Sequence, residues 1–76
     1  MKIINIASSD NFEDIVGAVK ESEAGELVLV VPRSNRVFKN KNRVGQLKDH
    51  FEKAGKKVSI MSSGADAVEN AKLVGF

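Results

Sequence analysis

The chain has 76 residues, no cysteine, no tryptophan and 42% apolar side chains, which suffices for one small globular domain, residues 1–76, and for no second one. A disulfide framework and a thiolate metal site are excluded, so packing must hold the fold, and burial against a partner or a second copy would add to it. The formal charge of +2 is unevenly placed: residues 1–31 carry two lysines and six acids, residues 32–57 nine Lys or Arg and two acids, and residues 58–76 one lysine and two acids.

Residues 2–7 (KIINIA) are short and isoleucine-rich, which predicts a strand. The polar cluster Ser8–Asn11 then starts a helix at about Asp10, with Asp10 and Glu13 spaced as a capping box and Glu13 and Asp14 placing negative charge in the first turn. Phe12, Ile15, Val16 and Val19 share one face of that helix, Lys20, Glu21 and Glu23 face solvent, and Gly25 is the expected stop.

Leu27–Val31 is an uninterrupted apolar run closed by Pro32, which cannot continue a ladder. Such a strand calls for cover on both faces and belongs in the centre of a parallel sheet. Val44, Leu47, Phe51 and Ala54 recur at helical spacing, so a second helix covers at least Asn42–Ala54 and ends at Gly55. A start near Ser34 is open as well, because Val37 and Phe38 can extend the same face. Gly45 inside this helix points to a close packing contact or to a weak helix.

Lys57–Ser62 (KVSIMS) alternates, with Val58 and Ile60 on one side and Ser59 and Met61 on the other, as a strand near an edge does. A short helix over Ala65–Val74 follows, with Ala67, Val68, Ala71 and Val74 as a narrow small-residue face and Gly75 as its stop. The order is βαβαβα, an α/β fold with a three-stranded parallel sheet, right-handed crossovers and the second strand central. Both crossover helices then lie on one face. The third helix must reach the other, either covering it closely or leaving part of it for a partner.

From Leu27 the chain reads LVLVVP, then a polar stretch, then N-R-V-x-x-L-K-x-x-F-E-K-A-G-K-K-V-S-I-M-S-S and A-x-x-A-x-x-V-G-F. This pattern, carried by Asn42, Leu47, Lys48, Ala54, Gly55, Lys56, Val58 and Gly75, resembles the small half-Rossmann-like α/β domain of uncharacterised bacterial proteins, many from candidate-phyla genomes. The resemblance implies a fold and brings no catalytic residues. In that family the domain often precedes a coiled-coil or membrane-anchored remainder and continues into a further strand.

In a parallel α/β sheet ligands bind at the carboxyl ends of the strands, where Ser8–Asn11, Pro32–Asn42 and Ser62–Asp66 are expected to meet. Arg33, Arg36, Lys39, Lys41 and Arg43 bring five cations to that edge, and Ser62, Ser63 and Gly64 offer hydroxyls and a helix N-terminus. These are the candidate anion-binding residues, suited to a nucleotide, another anion or a nucleic-acid backbone. Against this, the dinucleotide fingerprint and the P-loop are both absent, and Phe38 alone makes no stacking platform.

His50, the single histidine, lacks companions for a metal site and reads as a surface or boundary residue. Catalytic residues, cofactor and metal are therefore expected to be none. The leading expectation is a non-catalytic interaction or assembly module, a homo-oligomer or the docking partner of another protein. No apolar run approaches the ~20 residues of a spanning helix and the first residues lack a signal peptide, so membrane insertion is not expected and the cytoplasm is.

Overall fold

A computed structural model describes residues 1–76. The isoleucine-rich start forms β1 (Lys2–Asn5), two residues shorter than its sequence implies, although the Ile6 N–H still donates to the Val30 carbonyl at 2.9 Å. The first helix also starts later than expected. The Asp10 carboxylate accepts from the Ala7 N–H at 2.8 Å and the Asp10 N–H donates to the Ala7 carbonyl at 3.1 Å, so Asp10 closes a turn instead of capping a helix. The capping box is therefore one residue on: α1 (Phe12–Glu21) is capped by Asn11, whose side chain accepts from the Asp14 N–H at 2.9 Å while the Asp14 carboxylate accepts from the Asn11 N–H at 3.0 Å.

Helix α1 ends four residues before Gly25, with Ser22 as its C-cap. Its outgoing carbonyls are met from across the chain: the Lys56 ammonium donates to Ser22 at 2.6 Å and to Ala24 at 2.8 Å, a cation at the negative end of the helix dipole. Gly25 serves the sheet, its carbonyl accepting from the Lys57 N–H at 2.8 Å. There β2 (Glu26–Val31) begins.

After Pro32 the chain makes a 3-10 turn over Val37–Lys39 before α2 (Lys41–Lys53), which Asn40 caps by accepting from the Arg43 N–H at 3.2 Å. The open question of an earlier start is thus settled against it. Phe38 leaves the helical face and is fully buried, and its carbonyl accepts from the Asn70 amide at 2.9 Å. Gly55, with φ 71°, ends α2 in the left-handed conformation that a side chain resists. Strand β3 (Lys57–Ser62) and α3 (Ala65–Leu73) complete the chain.

The sheet is parallel with β2 between β1 and β3. Leu27 lies between Lys2 and Val58 in register, Leu29 between Ile4 and Ile60. The half-Rossmann-like α/β architecture expected from the sequence is the one observed. The core lies on one face of the sheet only: Leu27, Leu29 and Val31 of β2 meet Ile15 and Val19 of α1, Val44, Leu47 and Phe51 of α2, Phe38, and Ala67 of α3.

Helix α3 does not cross to the far face. It lies beside α2, with Val74 3.6 Å from where a Gly45 side chain would begin, the Asn70–Phe38 bond at its flank and Phe76 tilted against Phe51 at 6.1 Å. The small residues expected to let α3 cover the second face instead let it sit close to the first.

Asn35 is the one buried polar residue, 1% exposed. Its amide donates to the carbonyls of Ala7 at 2.9 Å and Asp10 at 3.0 Å, and its carbonyl accepts from the Val37 N–H at 3.0 Å. Asn35→Ala leaves these groups without their partner and should lower the unfolding free energy by about 2–3 kcal/mol, read from the urea midpoint at unchanged m-value.

Candidate functional site

The sheet offers two open surfaces, its carboxyl edge and its uncovered face. At the edge the three loops do meet. Asn35 ties the loop after β2 to the loop after β1, and Gly64 approaches Arg33 so closely that an added Cβ would lie 3.0 Å from the Arg33 Cα and Cβ.

The five cations do not gather in one place. Arg33 and Lys39 share a concavity of about 340 Å³ with Ser63, Gly64 and Asp66 at the start of α3. Arg36 and Arg43 line a second one with Asn11, Phe12 and Glu13. Lys41 faces a third, beside Gly45 and Asp49. The reason is the chain path: the 3-10 turn carries Lys39 towards α3, while α2 turns Arg43 towards α1. There the Arg43 guanidinium lies 5.4 Å over the Phe12 ring, a cation–π contact joining the two helices. The His50 and Phe12 rings also meet in a T-shaped arrangement, their centroids 5.6 Å apart. Phe38, buried, offers no face to a base.

Of the eight candidate anion-binding residues, then, Arg33, Lys39, Ser63 and Gly64 come together. Ser62 is diverted, its hydroxyl accepting from the Gly64 N–H at 3.1 Å. Gly64 is the N-cap of α3 and supplies no side-chain acceptor, so the first N–H groups of α3 are available to an external one. Asp66 in the same concavity opposes an anion.

The second surface was only half legible in the sequence. Because side chains at one register level of a parallel sheet point the same way, the face away from the helices carries Ile3, Val28 and Ser59 at one level and Asn5, Val30 and Met61 at the next. Val28 and Val30 are half-buried by their neighbours alone. Ile3 is 61% exposed and Met61 60%, and Met1 beside them 84%. These are three of the chain's four large exposed apolar side chains, the fourth being Leu73 on α3. Glu26 and Lys57, register partners at the amino end of the same face, are the only charges within the strands on it.

No protein-family model, curated protein or solved structure matches the chain. No helix is long and apolar enough to cross a membrane. The meeting of the second and third loops is open to a direct check: in Gly64→Ala the new methyl meets Arg33 backbone, which must shift, and a loss of about 1–3 kcal/mol in chemical unfolding is expected.

Proposed function

We propose that the protein is a non-catalytic assembly module that self-associates through the uncovered face of its sheet. The observation that carries this reading is the concentration of exposed apolar side chains there. Ile3, Val28, Val30 and Met61 form a band across three strands, with Met1 at its end, while the opposite face packs against the helices. A contiguous apolar patch on a small protein marks a contact surface, and two-sided burial is what the sequence of β2 calls for.

A second copy suits this face because its two strand charges, Glu26 and Lys57, cancel, so like faces approach without net repulsion. Three strands of up to six residues span roughly 10–14 Å by 20 Å, well below the ~800 Å² per partner of a stable standard interface. The association is accordingly weak and dynamic, with a dissociation constant on the order of 1 µM or above. Sedimentation across a concentration series is expected to show a reversible monomer–dimer equilibrium. Val30→Glu and Met61→Glu, each placing a charge in the band, are expected to abolish it with the circular dichroism spectrum kept. A strict monomer at every concentration refutes the reading.

A second reading, anion or nucleic-acid-backbone binding, is favoured by Arg33 and Lys39 flanking the start of α3. Titration with inorganic phosphate, a nucleotide and an oligonucleotide tests it. Binding at low salt that weakens as salt rises and is lost in an Arg33→Glu/Lys39→Glu variant supports it; no binding at low salt removes it.

A further inference from the structure

On the open face Glu26 and Lys57 stand side by side in register, on neighbouring strands, yet they form no ion pair. The chain's single ion pair is Lys48–Glu52 on α2, at 2.6 Å. Two opposite charges thus lie at the amino end of an apolar band without engaging each other. The consequence is directional: a face-to-face dimer that overlaps the full length of the strands places these two side chains against something.

Two-fold axes between two such faces run along or across the strands, and charge and polarity together separate them. One across the strands between the levels of Val28 and Val30 sets Ile3 against Asn5 and Met61 against Ser59 and leaves Glu26 and Lys57 outside the contact. An axis along the strands over β2 sets Glu26 against Glu26 of the second copy. One across the strands through the level of Val28 buries Glu26 against Val30 and Lys57 against Met61. One along the strands between β1 and β2 buries Glu26 against the Met1 position and Val30 against Asn5. An axis along the strands between β2 and β3 does something different. It lays Glu26 of each copy over Lys57 of the other and Val30 over Met61, with Val28 over Ser59 between them. Opposite charges meet twice, and Val30 and Met61 meet twice. The helices, all on the far side of each sheet, are clear of the contact.

We infer that the second copy docks about this axis, between β2 and β3, forming a four-layer helix–sheet–sheet–helix dimer closed by two reciprocal Glu26–Lys57 pairs. The sheets stack about 10 Å apart with strands nearly aligned, as sheets packed face to face do. The contact is isologous, each residue meeting the same partner from both sides. Only β2 and β3 of each copy stack; Ile3 of β1 and Met1 before it flank the outer edge of the second copy's β3. This inference rests on the self-association proposed above and adds its geometry.

Charge reversal tests the geometry separately from association itself. Glu26→Lys sets lysine against lysine twice, and Lys57→Glu sets glutamate against glutamate twice. Each is expected to raise the dissociation constant about tenfold, measured by sedimentation equilibrium at moderate salt. The double variant E26K/K57E restores opposite charges at both contacts and is expected to return to within about twofold of the parent. An equimolar mixture of the two single variants is expected to form a heterodimer tighter than either homodimer. Both residues are exposed at strand starts, and circular dichroism checks that the variants fold.

If the single reversals leave the constant unchanged while Val30→Glu abolishes dimerisation, this axis is wrong and the self-association stands. If the singles weaken the dimer and the double does not recover, the reciprocal pairing is wrong. A parent that stays monomeric to about 1 mM, where a contact worth about 4 kcal/mol would be half formed, overturns both.

Discussion

Two crossovers of the same hand in a parallel sheet whose spatial order follows its chain order place both connecting helices on one face, and this constraint organises everything else in the molecule. With α1 and α2 side by side over β2, the apolar content of a 76-residue chain is concentrated in a single layer between helices and sheet. The third helix has too little apolar surface to build a second layer. Its small side chains, Ala67 and Ala71 above all, allow close approach to β3 and the 3-10 turn. It therefore widens the existing helix layer, and the other face of the sheet is left to solvent or to another molecule.

The same packing decides what becomes of the charges. The basic stretch after β2 is divided by the burial of Phe38 and by Asn35, whose three hydrogen bonds hold the first two loops together. Lys39 is swung towards the start of α3, Arg43 is held against Phe12, and Lys56 closes the end of α1. Positive charges that look equivalent along the chain have three different tasks in space: a potential anion contact, helix–helix packing, and a helix cap. Only the first leaves the charge free for a ligand.

The same division separates the two candidate surfaces. The basic edge has charge and free N–H groups but also Asp66, which lines the same concavity. The bare sheet face has little charge and a continuous apolar band. In the dimer proposed above the band supplies attraction, hydrophobic contact being non-directional, and Glu26 and Lys57 supply orientation. Small area and exact orientation are compatible in one contact, because charge placement selects the geometry and apolar area sets the strength.

Hydrophobic periodicity and turn chemistry were enough to read the order of elements, the parallel sheet, the central place of β2, the edge place of β3 and the stop at Gly55, since each depends on residues within one turn or one strand of each other. Local reading was less able to resolve which of two adjacent polar residues caps a helix: Asp10 and Asn11 are both good caps, and a bond from Ala7 decided between them. What the tertiary structure alone decided was non-local. Leu27–Val31 has the composition of a strand covered on both sides, but composition does not say by what, and only the position of α3 beside α2 shows that the second cover is not provided within these residues. Likewise a charge block of nine Lys and Arg between residues 32 and 57 is plain in the chain. Which of them remain free depends on Phe12, Ser22 and Ala24, residues far away in sequence that meet Arg43 and Lys56 only when the helices pack.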